Sequence, residues 1–274
     1  MIDSKKLIKE YELNPNKALG QNFLIDENAI HTIAELAHCE GMPVLEIGPG
    51  LGALTDELAL RASSVIAVEI DKNMVGLLSS ILADRGNIHI INRDFLRFPE
   101  KELTDAMGGL PFVVAANLPY YITTSAALRL IDSPLPIQRM VLMMQEEAAA
   151  HFTAGPRAKQ YTPLSVLCAC YYNVRPELHL PPSCYYPEPA VHSVVLSFER
   201  NEKPFDPSLS SLVKASFAMR RKTLRNNLSA FIPKDAVPSV IEKAGLPASC
   251  RAEELTPGDF VRLNDAVNEY KSKI

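Results

Sequence analysis

The stretch V-L-E-I-G-P-G-L-G-A-L-T at residues 44–55 decides the fold. Val44, Leu45 and Ile47 suit a buried strand, which breaks at Gly48, Gly50 and Gly52. Without a Cβ at those positions the backbone can turn sharply and approach a ligand closely. Leu54, Leu58 and Leu60 then continue a helix to about Arg61, whose unpaired N-terminal amides would face the same ligand. A cofactor is therefore expected here, and the spacing bears on which one. Dinucleotide folds favour G-x-G-x-x-G with a pyrophosphate on the helix N-terminus. This chain instead has Glu46 followed by G-P-G-L-G, the pattern E-x-G-x-G-x-G, which resembles no dinucleotide loop.

Outward from the turn, S-S-V-I-A-V-E-I-D at 63–71 supplies a near-continuous apolar strand, Val65 to Val68, of the kind covered on both faces in a parallel sheet. Glu69 ends it, 21 residues after Gly48. Doubly wound folds place an acid there to accept both hydroxyls of a ribose. Asp71 reads as the N-cap of a helix over 72–82. A third strand, N-I-H-I-I-N at 87–92, delivers Asp94 and Phe95, an acid able to accept from an adenine amine and an aromatic able to cover the ring. Acids at strand ends are common, so the pair carries little by itself. The fourth strand and its exit, P-F-V-V-A-A-N-L-P-Y-Y at 111–121, puts Asn117, Leu118, Pro119 and Tyr120 beside the glycine turn, because ligands of open α/β sheets bind outside the carboxyl ends of the strands. Such a turn suits transfer to a planar amine. The Asn carbonyl and a backbone carbonyl accept both amine protons, the proline stiffens the turn and the tyrosine stacks on the base. An ordinary turn with a core tyrosine is the plainer alternative.

The N-terminal portion continues to alternate, with a helix over 124–131, a strand over 138–144, helices over 146–152 and 164–172, and a strand over 172–178. Residues 153–163 form a basic loop without an acid, read as solvated, with a place near nucleic acid as the alternative. Residues 182–198 combine a proline-broken aromatic loop, in which Tyr185 would close a target base from the opposite side, with a last alternating strand. His192 has no acid partner in the pattern and reads as structural. The linker N-E-K-P-F-D-P-S at 201–208 separates a helical module over 201–274 from the domain over 1–200. Within it, K-A-S-F-A-M-R-R-K-T-L-R at 214–225 predicts a helix with Phe217 and Leu224 inward and Arg220, Arg221, Lys222 and Arg225 presented to phosphates.

Charge supports that division. The chain carries net −4, yet residues 1–200 hold 16 basic against 23 acidic side chains and residues 201–274 hold 12 against 9, a basic module on an acidic body. Five scattered cysteines, odd in number and without C-x-x-C pairs, suggest reduced thiols and no structural metal. A charged N-terminal segment and no long apolar run predict a cytoplasmic protein without a membrane partner.

Taken together, K-A-L-G-Q-N-F-L at 17–24, E-I-G-P-G-L-G, V-E-I-D, R-D-F-L, N-L-P-Y, Y-x-P-x-P-x-V-x-S and F-A-M-R-R-K-T-L-R-N-N-L make the chain resemble the ribosomal RNA adenine dimethyltransferases, over about residues 16–268. The last motif favours the small-subunit branch over the erythromycin-resistance branch. The resemblance implies a doubly wound, Rossmann-like S-adenosylmethionine-dependent methyltransferase domain with a mostly parallel sheet and a small all-helical C-terminal domain. It implies N6-dimethylation of two adjacent adenines in the 3′-terminal hairpin of 16S small-subunit ribosomal RNA, on the RNA or an immature 30S particle, by a monomer. Carried over by position, Asn22 and Leu24 would flank the methionine end of the cofactor, and Gly48, Gly50 and Gly52 would form the turn beneath it. Glu69 would take the ribose, Asp94 and Phe95 the cofactor adenine, Asn117 both cofactor and target, and Tyr120 and Tyr185 would sandwich the target base. Tyr185 stands where the family usually has Phe, and Glu146 and His151 stand where it is often basic. Three alternatives stay open: large-subunit adenine methylation, a noncatalytic ribosome assembly factor, and a nicotinamide-dependent oxidoreductase, the last disfavoured by the glycine spacing.

Overall fold

The computed structural model describes residues 2–13, 15–16 and 20–273. Lys17, Ala18 and Leu19, the start of K-A-L-G-Q-N-F-L, lie outside the described residues. The chain forms two compact units, one of residues 1–130, 134–149 and 174–200, the other of 131–133, 150–173 and 201–274. The division expected at 200/201 therefore differs from the packing, which assigns residues 150–173 to the second unit although they precede the last strands of the first.

The elements run α1 (Ser4–Glu10), β1 (Phe23–Leu24), α2 (Glu27–Leu36), β2 (Pro43–Ile47), α3 (Ala53–Ala59), β3 (Ser64–Glu69), α4 (Lys72–Ile81), β4 (Ile88–Asn92), α5 (Glu100–Ala106), β5 (Phe112–Asn117), α6 (Thr123–Ile131), β6 (Ile137–Gln145) and α7 (Glu146–Thr153). There follow α8 (Pro163–Tyr171), β7 (Tyr172–Leu180), β8 (Tyr185–Tyr186), β9 (Ser193–Arg200), α9 (Pro207–Ser216), α10 (Leu224–Leu228), α11 (Val237–Lys243) and α12 (Pro257–Lys271).

Seven strands form one sheet in the order β4-β3-β2-β5-β6-β9-β7. The pairs β2–β3, β3–β4, β2–β5 and β5–β6 are parallel, and β9 runs antiparallel to β6. Burial follows from that order. Every residue of β2 is buried and all but the first of β3, as unbroken apolar runs require when both faces are covered. The edge strand β4 is only half-buried. Each fully buried Val, Leu or Ile contributes roughly 1.5–3 kcal/mol relative to exposure, and Val44, Leu45, Val65, Val113, Val114 and Val141 stack that contribution in the sheet centre. From β2 the chain builds outward to β3 and β4, then returns to lay β5 on the other side of β2. The strand order reverses between β2 and β5, where adjacent loops diverge and leave a crevice. A separate two-residue pair, β1 with β8, matches Phe23 to Tyr186 and Leu24 to Tyr185 in antiparallel register.

The second unit is helical. Tyr161, Phe217 and Phe260 pack ring on ring, with Phe217 stacked on Phe260 at 5.8 Å and edge-on to Tyr161 at 6.0 Å. The buried Tyr161 hydroxyl donates to the Leu255 carbonyl at 2.7 Å, so the ring is buried without leaving its polar tip unpaired. The basic run does not extend a helix as expected. Helix α9 ends at Ser216, residues 217–222 turn, and Thr223 caps α10 by accepting from the Asn226 amide.

No described helix is long and apolar enough to cross a membrane, and all five cysteines are free and buried.

Candidate active site

A cleft enclosing about 1010 Å³, its open mouth included, lies at the β2/β5 reversal and is walled by residues of the first unit. The glycine turn forms its floor. Gly48, Gly50 and Gly52 all have positive φ, 68°, 57° and 79°, which only glycine adopts cheaply. The space is also claimed: a Cβ on Gly50 would stand 3.2 Å from the Phe23 ring, and one on Gly52 2.7 Å from Leu78 Cδ2. Gly48 and Gly50 line the cleft, whereas Gly52 serves it indirectly as the left-handed N-cap of α3.

Two acids stand on the strand side. Glu69 ends β3, is 6 % exposed, and its Oε1 accepts the Asp71 amide at 2.8 Å. Burial raises its pKa, with the Asp71 charge adding to the rise and backbone amides, including that of Gly50, opposing it. Glu46, known from sequence only as the first letter of the motif, is 1 % exposed and lines the cleft. Its Oε2 is buried without a hydrogen-bond partner. Burial pushes its pKa up to about 8, and the Glu69 charge adds to the rise; the Thr55 hydroxyl stands close enough to oppose it, yet makes no hydrogen bond of ordinary geometry.

Asp94 and Phe95 leave β4 on a short 3-10 turn over Phe95–Arg97, capped by Asp94 Oδ1, which accepts the Leu96 amide at 2.9 Å. Both line the cleft. Asn117 ends β5 and donates through Nδ2 to the Asn22 carbonyl at 3.2 Å. Only the NH2 end can donate to a carbonyl, so this bond orients the amide and leaves Oδ1 to accept elsewhere. Leu118 is tied by its amide to the Met143 carbonyl at 3.1 Å, and Thr123 Oγ1 donates to the Pro119 carbonyl at 3.1 Å. Tyr120 lines the cleft with its hydroxyl 3.4 Å from Ser193 Oγ, and burial raises its pKa. Asn22 and Leu24 complete the wall, so the cleft gathers Asn22, Leu24, Gly48, Gly50, Glu69, Asp94, Phe95, Asn117, Leu118, Pro119 and Tyr120 from five stretches of chain.

Tyr185 is the exception. Its ring is 2 % exposed and its hydroxyl points to Met143 Sδ at 2.9 Å, so it is a core side chain and not a wall of the cleft. Strand alternation in β8 turns Tyr185 inward and Tyr186 outward, the latter 43 % exposed. The sequence reading missed Gln21, Phe23, Arg93 and Tyr121, which also line the cleft. Tyr121, next to the N-L-P-Y turn, is 54 % exposed at its mouth; only its adjacency to that turn could have flagged it.

Arg220 also departs from expectation. Its Nη2 donates to the Lys159 carbonyl at 2.8 Å, and its Nε lies 3.4 Å from Glu253 Oε2, so it braces the second unit. Arg221, Lys222 and Arg225 are exposed. Among the described residues no group of His, Cys, Asp and Glu could hold a metal ion.

The cleft suits a nucleoside carrying a polar tail: acids at the ends of adjacent strands, an aromatic wall, a glycine floor with left-handed backbone at Gly48 and Gly50, and a buried acid oxygen without a partner. A model of the family described as ribosomal RNA adenine dimethylase matches residues 12–269. The ribosomal RNA small subunit methyltransferase A of Alkaliphilus metalliredigens is 37 % identical over 274 residues, 96 % of each chain. Among solved structures, 23S rRNA methyltransferase ErmE superposes with a TM-score of 0.64 at 27 % identity, over 90 % of this chain and 100 % of that one. A dimethyladenosine transferase from Plasmodium falciparum superposes with a TM-score of 0.72 at 24 % identity, over 90 % and 97 %, and shares the fold. The family match spans nearly the whole chain and the identity to that bacterial relative runs end to end, so the chain belongs to the ribosomal RNA adenine dimethylase family.

Proposed function

We propose that this chain dimethylates N6 of two adjacent adenines in the 3′-terminal hairpin of 16S small-subunit ribosomal RNA, in the cytoplasm during small-subunit biogenesis, with the cleft as its active site. S-adenosylmethionine supplies an activated methyl group on a sulfonium, which needs no metal and no covalent nucleophile. Glu69 accepts the ribose hydroxyls, Asp94 the adenine amine, and Phe95 covers the ring. Asn22, Leu24 and the turn at Gly48 and Gly50 hold the methionine end, with Gly52 setting the start of α3 beneath it.

The chain's own work is positioning and electrostatics. The lone pair of an adenine amine is delocalised into its ring. Asn117 Oδ1 and the Leu118 carbonyl accept the two amine protons and turn the nitrogen toward the methyl carbon. So held, the adenine nitrogen would take the methyl group while the S–C electron pair stayed with sulfur, and the surplus amine proton would pass to solvent. Tyr120 stacks on the base, which must first be splayed from its hairpin at a cost of a few kcal/mol. Tyr185 supports that turn from the core through Met143, so stacking falls to Tyr120 and the exposed Tyr121. Arg221, Lys222 and Arg225 engage phosphates.

The orientation of the Asn117 amide carries this reading, because it leaves an acceptor beside the glycine turn. Asn117→Ala is expected to abolish methyl transfer from labelled cofactor to immature small subunits while RNA binding persists. Unchanged turnover would sink the assignment.

A further inference from the structure

Arg129 lies on α6 in no recognised motif, yet it meets the cleft's adenine side from behind. Its guanidinium carbon stands 5.1 Å from the centroid of the Phe95 ring. Nη1 donates to the Leu96 carbonyl and Nη2 to the Phe98 carbonyl. Nε is buried and has no partner. One planar fork therefore grips two carbonyls of the turn that leaves β4 and lies over the Phe95 ring at the start of that turn. That turn carries Asp94 and Phe95 into the cleft. Asp94 spends Oδ1 on capping the turn, which leaves Oδ2, 3.6 Å from the exposed Arg97 Nε, to address a ligand.

We propose that Arg129 is a positioning residue that sets the cleft's preference for an adenine base, by fixing the Asp94–Phe95 turn so that carboxylate and ring meet the edge and face of one purine at once. The inference rests on the cofactor reading given under Proposed function. Its physical basis is the fork. A guanidinium can bond two carbonyls at fixed separation and still stack on an aromatic face, whereas an ammonium offers a point charge with neither constraint. If Arg129 were only a brace, replacing it would weaken every nucleoside alike. If it sets the turn, the loss falls on the base-specific contact.

Calorimetry on the full chain separates the two with S-adenosylhomocysteine and S-inosylhomocysteine, whose base carries a carbonyl in place of the amine. The wild type is expected to prefer the adenosine compound. Arg129→Lys, which keeps the charge and the aliphatic stem, and Arg129→Gln are each expected to cut that preference about tenfold, the scale of one hydrogen bond to a charged group. Unequal losses that restore equality between the two ligands support the proposal. A wild-type preference ratio retained in folded Arg129→Lys, with both affinities reduced together, overturns it. Should Arg129→Gln not fold, Arg129→Lys carries the test alone. Failure of the wild type to bind either compound would instead refute the cofactor reading.

Discussion

Glu46 shows how far one side chain can be read from its type and how far only from its surroundings. In sequence it is an acid before a glycine turn. In the structure its carboxyl is almost fully buried, lacks a partner on one oxygen, and has a pKa near 8 against an ordinary 4.5. Between those two values the native chain keeps a proton that the unfolded chain has released. Stability therefore falls as pH rises from about 4.5 to about 8 and loses nothing more from this group above that. Each pH unit of separation is worth about 1.4 kcal/mol. Glu46→Gln, which copies the protonated shape, is expected to melt close to wild type at pH 5 and well above it at pH 8. Melting curves of the free protein across that range check this, and a shift equal at every pH would mean another group titrates. The places of Asn117, Gly48 and Gly50 at the cleft were legible, because strand ends and the turn after a parallel strand face the ligand side of such a sheet. Tyr185 was not, since Y-Y in a strand turns one ring inward and one outward, and only the pairing of Leu24 with Tyr185 decides which.

Elements were legible where their causes were local. The glycine turn, the unbroken apolar strands and the capping acid Asp71, which accepts the Asn73 amide, all lie within a few residues of what they control. The end of α9 did not, because its cause lies on the next helix. Asn227, 2 % exposed, donates to the Ser216 and Met219 carbonyls and accepts from the Met219 amide, taking up backbone groups that a longer helix would have bonded. Ala, Met, Arg and Lys favour helix by propensity, and this tertiary cap overrides them. Two glycines make the same contrast testable. Gly52 has φ 79° and no room for a Cβ, so Gly52→Ala should cost about 1–2 kcal/mol from backbone strain alone and weaken S-adenosylhomocysteine binding by tilting α3. Gly76 lies inside α4 with nothing within 4 Å of a Cβ, so Gly76→Ala should stabilise by about 0.5–1 kcal/mol and leave that binding unchanged. Denaturant titration with ligand calorimetry reads both.

At the scale of the whole molecule, charge segregation was visible in the sequence, but the surface it builds was not. Residues 153–163 and 217–225 are separated by β7, β8 and β9, yet within the second unit they converge. The Arg157 amide donates to the Glu253 carbonyl at 2.7 Å, Tyr161 reaches Leu255, and Arg220 bonds the Lys159 carbonyl beside Glu253. Cations that looked equivalent along the chain therefore divide by role. All six of Arg157, Lys159, Arg220, Arg221, Lys222 and Arg225 are exposed, but the Arg220 side chain is engaged with its own fold through the Lys159 carbonyl and Glu253. Phosphate contacts release counterions, so each one lost reduces the slope of log affinity against log salt by roughly 0.7–0.9. Converting Arg221, Lys222 and Arg225 together to Gln should weaken binding to small-subunit RNA and flatten that slope by about 2–3 units, with S-adenosylhomocysteine affinity unchanged. Arg220→Gln should instead lower the melting temperature more than Arg221→Gln does. Filter binding over a salt series, beside thermal denaturation, distinguishes the roles: a triple variant with the wild-type slope would show that the RNA is held elsewhere.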